Sequence, residues 1–178
     1  MMRPNFYLAS VDLKDAYYSV PFAYCDQKYL KFEWMGQLDK FTCFPNGLAF
    51  CPRKFTKLLK PVYATLRQSG HLLSSYIDDS YLQRDELKDC VTSVIATMEL
   101  FDSLGFVIHP LKSVLVQSQK LTYLGFVLNS IEMKIYLTQD KGQKLRHVCD
   151  KILACRNPSI REVSSLLGLM TASFPGVM

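Results

Sequence analysis

The sequence predicts an α+β fold: an antiparallel sheet backed by helices, with a small helical segment at the C-terminal end. Two observations carry this. Short β-leaning runs meet in pairs across two-residue turn candidates, at Met35-Gly36 and at Asp78-Asp79. Amphipathic helical stretches follow those pairs instead of alternating with single strands, so a doubly wound βαβ series is not expected.

The elements follow in order. Phe6 to Leu13 (FYLASVDL) is an apolar run ending in acid, which predicts a buried strand with an exposed C-terminal end. Tyr29 to Trp34 and Gln37 to Phe44 alternate large apolar with polar residues around Met35-Gly36, a hairpin pattern that Pro45-Asn46-Gly47 then breaks. Phe55, Leu58, Leu59, Val62, Tyr63 and Leu66 recur at helical spacing, with Pro61 expected to start, end or kink the helix. His71 to Arg84 reads as two strands around the paired aspartates. Leu87, Val91, Val94, Ile95, Met98, Phe101 and Leu104 form one amphipathic stripe, read as core and closed by Gly105. Val114 to Gln117, Leu121 to Leu128 and Met133 to Leu137 read as strands. From Gln139 the pattern is helical, with Asn157-Pro158-Ser159 between two helices.

Composition bounds the function. The chain has 178 residues, 49% of them hydrophobic, which suits one globular core and excludes a disordered tail. No run approaches the length of about 18 apolar residues that spans a bilayer, and the first residues lack a secretory signal. The six cysteines are scattered, with no C-x-x-C pair and no His at zinc spacing, so they read as reduced, mostly core thiols. These features point to the cytoplasm or nucleus and to no membrane partner. The net charge of +5 is concentrated late: residues 139–178 carry +3, and Lys141, Lys144 and Lys151 form a helical row suited to a phosphate backbone or to ordinary solvation.

The chemistry lies in acid at strand ends. Asp78 and Asp79 are adjacent at a hairpin tip, and Asp12 ends another strand. Neighbouring carboxylates repel, so a cation between them is the natural relief. Three carboxylates are the hard-oxygen ligand set that Mg²⁺ prefers, and two such ions about 3.5–4 Å apart can support in-line phosphoryl transfer. The bland alternative for a bare Asp-Asp pair is a solvated turn. His71, His109 and His147 match no ligand motif.

Tyr76-Ile77-Asp78-Asp79, preceded by SVDLKDAYYSVPF, resembles the reverse transcriptase family, and further motifs follow in that family's order. FPNGLAFCPRKFTKLL resembles its template-contacting motif, FDSLGFVIHPLKS its fourth palm motif, and LTYLGFVL its primer grip. The wording of LTYLGFVLNS and PSIREVSSLLGLMTASFP is most similar to retrotransposon enzymes of the DIRS-type group. The resemblance implies RNA-directed DNA synthesis with two Mg²⁺ ions, or Mn²⁺ in their place. It implies Asp12, Asp78 and Asp79 as catalytic carboxylates and metal ligands, helped by the Leu13 carbonyl, and Lys112 as the residue that protonates pyrophosphate. Asp15, Ala16 and Tyr17 match the nucleotide site, Tyr17 as the gate against a ribose 2′-OH, and Asn46 and Gly47 lie against the nascent pair. Tyr76, Tyr123, Leu124 and Gly125 match primer-binding positions. Each has a bland rival: a core aromatic at Tyr17, a solvated Lys112, a bulge at Gly125 and a turn cap at Asp15.

The same resemblance implies a palm over 1–137 and the start of a thumb over 138–178. Only 11 residues precede Asp12, with Arg3 their sole basic residue, so the family's triphosphate-clamping fingers and its RNase H are expected on other parts of a retroelement polyprotein. The expected partners are an RNA or DNA template with its primer, dNTPs and that remainder. Asn46 and Cys51 depart from the residues usual in their motif. The alternatives are a truncated, inert retroelement fragment that at most binds nucleic acid, and a nucleotide cyclase, which would have no use for a primer grip.

Overall fold

A computed structural model describes residues 2–176; the outermost residues of the expected palm and thumb segments, 1, 177 and 178, lie outside the described part. The chain clusters into two compact units, residues 9–117 and residues 1–8 with 118–178.

The first unit is built on a five-stranded sheet. Its members are β1 (Tyr7–Lys14), β4 (Leu73–Tyr76), β5 (Asp79–Arg84), β6 (Val107–Ile108) and β7 (Val114–Ser118). The path is β4-β5-β1-β6, with β7 also paired to β1. β4 and β5 are antiparallel, as are β1 and β6. β1 is central and almost wholly buried, which is why it reads as a continuous apolar run and not as an alternation. β2 (Lys31–Trp34) and β3 (Gln37–Lys40) form a separate hairpin. Met35 and Gly36 both have positive φ (49° and 78°), the primed turn that the Met-Gly pair predicted.

Two helices pack on the sheet: α1 (Cys51–Gln68) against β4, and α2 (Leu87–Ser103) against β5 and β6. α1 buries Cys51, Phe55, Leu59, Tyr63 and Leu66, one face of a 3.6-residue repeat. It continues through Pro61, which therefore neither starts nor ends it. Pro61 sits on the exposed face, and the Thr65 hydroxyl donates to its carbonyl at 3.1 Å. Burial of Leu59 and Tyr63 on the opposite face offsets the cost of about 3 kcal/mol for an interior proline. Edge-to-face rings tie the layers together: Phe55–Phe106, Phe101–Phe106 and Tyr63–Phe101, with centroids 5.8–6.1 Å apart.

The α2 stripe differs from expectation. Cys90, Ser93, Val94, Thr97 and Phe101 are buried, while Leu87, Val91, Ile95 and Leu104 are exposed. The sheet covers one side of the helix only, and small Ser93 and Thr97 approach it closely, with the Thr97 hydroxyl donating to the Ser93 carbonyl. Gly105, at φ 80°, ends the helix as expected.

The second unit contains a meander of β8 (Lys120–Tyr123), β9 (Phe126–Asn129) and β10 (Lys134–Leu137), then α3 (Gln139–Ala154) and α4 (Ile160–Ser173). The expected single strand 121–128 is thus two strands, turning at Leu124 (φ 50°) and Gly125 (φ 74°). An apolar Tyr-Leu-Gly-Phe turn hides among apolar strand residues. The N-terminal residues join this unit through Asn5 N–H to Ser130 O and the Ser130 hydroxyl to Phe6 O. α4 starts at a capping box of Ser159 and Glu162.

Lys141 does not extend toward a backbone ligand. Its ammonium donates to the Leu124 carbonyl at 3.1 Å and lies over the Phe126 ring at 4.1 Å. Lys151 pairs with Glu162, so two of the three lysines in the expected basic row are engaged by other parts of the chain. Among the described residues the cysteines form no disulfide, but only Cys51 and Cys90 are buried; Cys25 and Cys155 are exposed. Among the described residues no helix is long and apolar enough to cross a membrane.

Candidate active site

The β4–β5 hairpin delivers the paired aspartates. Tyr76 pairs with Asp79 across the ladder, so the two-residue turn is Ile77-Asp78, one position earlier than expected. Ile77, not an aspartate, takes the positive φ, at 55°. A β-branched residue there is strained by about 1–2 kcal/mol, and such strain concentrates where function dictates backbone geometry. The turn is held to β1 by the Leu13 N–H, which donates to the Asp78 carbonyl at 3.2 Å.

Asp78 lines a cleft of about 310 Å³ with Leu13, Asp15, Ala16, Tyr17, Asn46 and Lys112, together with Lys14, Tyr18 and His109. Sequence reasoning missed these last three; His109 lies in the fourth-motif segment but matched no ligand motif, and its place becomes visible only through the β1–β6 pairing. Asp15 has φ 51° and its carbonyl accepts the Tyr18 N–H at 2.9 Å, which curls residues 15–18 around one wall. Among the described residues no protein acceptor meets the N–H groups of Asp15, Ala16 or Tyr17. The Tyr17 ring is half-buried and set edge-on to buried Phe55 at 5.5 Å. Burial, followed by the charge of Asp78, raises its phenol pKa. The Asn46 amide donates to the Tyr18 hydroxyl at 3.0 Å, and Gly47 (φ 90°) turns the chain toward α1.

Asp12 is buried on β1, its N–H donating to Ser113 Oγ at 2.9 Å. Its Oδ1 is buried and meets no hydrogen-bond partner. Leaving such an acceptor unsatisfied costs about 1–3 kcal/mol. Asp79 hydrogen-bonds Asp12. Burial first, then that bond and the charges of Asp78 and Asp12, push the Asp79 carboxyl up to about 6, while Lys112 pulls it down.

Among the described residues no three His, Cys, Asp or Glu side chains form a group that could already hold a metal ion. Asp12 and Asp79 are in contact, and Asp78 belongs to the cleft. The donor chemistry nevertheless fits a divalent cation, because the oxygens are hard and Asp12 Oδ1 is buried without a partner.

Tyr76 is exposed at the end of β4. Tyr123, Leu124 and Gly125 make the β8–β9 turn in the second unit. A Cβ on Gly125 would lie 2.5 Å from the Lys141 side chain, so this glycine supplies both the left-handed backbone and the space for the lysine; it is a turn and not a bulge.

Comparison with known proteins identifies the family. Residues 2–128 match the family described as reverse transcriptase (RNA-dependent DNA polymerase). The chain is 30% identical to the Gag-Pol polyprotein of baboon endogenous virus (strain M7) over an aligned length of 183 residues, covering 97% of this chain and 10% of that protein. The fold is similar to a foamy viral protease–reverse transcriptase in complex with double-stranded DNA (TM-score 0.79, 21% identity, 97% of this chain and 28% of that one). It is also similar to the foamy viral enzyme in complex with an RNA/DNA hybrid (TM-score 0.77, 22% identity, 97% and 22%). The chain therefore spans about a tenth of the polyprotein it matches. The matched family covers most of the described residues, including the strand with Asp12 and the hairpin with Asp78 and Asp79, and the chain belongs to the reverse transcriptase family.

Proposed function

We propose that this chain is the palm and the beginning of the thumb of an RNA-directed DNA polymerase. It would work as a segment of a longer retroelement polyprotein, with RNA or DNA template, primer and dNTPs as partners. The observation that carries the reading is the convergence of Asp78, Lys112, Tyr17 and the unpaired N–H groups of residues 15–17 on one cleft beside Asp12.

The residues divide the work as follows. The N–H groups of Asp15 and Ala16, for which no acceptor is found among the described residues, would donate to phosphate oxygens. The Tyr17 ring, braced by Phe55, occupies the space that a ribose 2′-OH would need. Asn46, held by Tyr18, and Gly47 border the nascent base pair. Asp12, Asp78 and Asp79, with the Leu13 carbonyl, would hold Mg²⁺ or Mn²⁺. When bound, two such ions would activate the primer 3′-OH and neutralise charge on the leaving pyrophosphate. Lys112 supplies the proton to that leaving group. Tyr76 and the Tyr123-Leu124-Gly125 turn contact the primer. Residues 1–137 form the palm in this reading and 138–178 the first thumb segment. The segments LTYLGFVLNS and PSIREVSSLLGLMTASFP support a DIRS-type origin.

The test is primer extension on an RNA template with Mg²⁺ or Mn²⁺, beside Asp78→Asn. Extension in the wild type that falls to background in the variant, with an unchanged melting curve, is the expected result. A variant as active as the wild type removes the carboxylate assignment. A folded wild type that extends no primer favours the inert-fragment reading.

A further inference from the structure

Asp12 and His109 face one another across the β1–β6 ladder. The register Leu13↔Ile108 and Lys14↔Val107 continues by one residue, because the His109 N–H donates to the Asp12 carbonyl at 2.8 Å. Directly opposed residues of an antiparallel pair project to the same face, with Cβ atoms about 4.5–5.5 Å apart. Each of these two carries a buried polar atom with no hydrogen-bond partner: Asp12 Oδ1 and His109 Nδ1. They are the two such side-chain atoms found among the described residues.

The backbone around the histidine is anchored on both sides of Asp12. The His109 carbonyl accepts the N–H groups of Lys112 at 3.3 Å and Ser113 at 3.0 Å. Ser113 Oγ in turn accepts the Asp12 N–H at 2.9 Å. The 109–113 turn therefore anchors the backbone that carries the imidazole beside the strand that carries the carboxylate. An imidazole nitrogen can carry the proton that a carboxylate oxygen lacks, and a carboxylate has lone pairs enough to accept it and still bind a cation.

We propose that His109 is a positioning residue for Asp12: the two orphaned atoms do not bond each other in this structure, and a turn of the imidazole that brings Nδ1–H onto Asp12 Oδ1 sets the direction in which the carboxylate meets a divalent cation. This rests on the metal-dependent reading above and adds a residue to it. Partners of this kind behind a metal-binding group orient the group and preserve its basicity.

The experiment is Mn²⁺ binding to the whole chain, followed by the electron paramagnetic resonance signal of free Mn²⁺, in the wild type, His109→Phe and His109→Asn. Phe keeps a ring and loses the donor, and the dissociation constant should rise about 10–100-fold. Asn places an amide N–H near the position of Nδ1 and should restore most of the affinity. Circular dichroism melts establish that each variant is folded; if the Phe variant is not, His109→Ala carries the same test. Wild-type affinity in a folded Phe or Ala variant overturns the inference alone, as does an Asn variant as weak as Phe. A wild type that binds no Mn²⁺ overturns the metal reading and this inference with it.

Discussion

Tyr17 illustrates how a single side chain acquires a role from its neighbours. A tyrosine after Asp-Ala could equally fill a core, but here the ring stays half-exposed on the cleft while Phe55 supports its edge. In the proposed nucleotide site a rigid ring in that place would discriminate by exclusion, without need of the hydroxyl. Tyr17→Phe should therefore keep the preference for dNTPs, and Tyr17→Ala should ease rNTP incorporation. Competition assays with paired dNTP and rNTP substrates measure this; unchanged selectivity in the Ala variant removes the gate. Ile77 shows the opposite relation, a residue in a conformation its own side chain disfavours. Its neighbours over-determine the turn through the Tyr76↔Asp79 pair and the Leu13-to-Asp78 bond.

Among the elements, α4 has the clearest local specification. Ser159 accepts from the Glu162 N–H, and the Glu162 carboxylate accepts from the Ser159 N–H and hydroxyl. Those bonds, and Lys151 beside them, hold the Glu162 carboxyl below its usual range. Ser159→Ala removes the cap and should destabilise the second unit by about 1 kcal/mol. Urea denaturation monitored by circular dichroism reads this; no change in midpoint would show that the cap contributes nothing. α1 and α2 instead owe their placement to tertiary packing. Pro61 is tolerated because α1 is buried on its other face, and Leu87, Val91 and Ile95 are left exposed because the sheet is on the other side of α2.

For the molecule as a whole, the crowded carboxylates make stability depend on pH. With the Asp79 carboxyl raised from 3.8 to about 6, the folded chain keeps a proton between those values that the unfolded chain has released. Stability from this group is therefore lost as pH rises through about 6. In EDTA, the melting temperature of the wild type should fall between pH 5 and pH 7, and Asp79→Asn should remove that part of the fall. Mg²⁺ should stabilise more at pH 7 than at pH 5, because it binds the ionised carboxylates. Thermal melts of both chains at the two pH values decide it, and identical slopes in both would refute the coupling.

Much of this was legible in the one-dimensional chain. The order of most elements along the chain, the two hairpins, the helices at their spacing and the motif that marks the family all depend on local pattern, and local pattern survives without knowledge of contacts. The carboxylates were legible for the same reason: acid at the end of an apolar strand is conspicuous. What the tertiary structure decided were questions of which face and which partner. Periodicity located the α2 stripe but not the side that the sheet would cover. Charge marked Lys141 and Lys151 as cationic, but their destinations, a carbonyl of the β8–β9 turn and a glutamate of the next helix, depend on how neighbouring elements pack. The turn at Ile77-Asp78 was displaced by one residue because ladder register, and not turn propensity, set it. His109 was invisible until β1 met β6, since a residue opposite Asp12 across a ladder is 97 positions away along the chain. Sequence specifies what each segment can do by itself; pairing and burial, which join distant segments, select what it does.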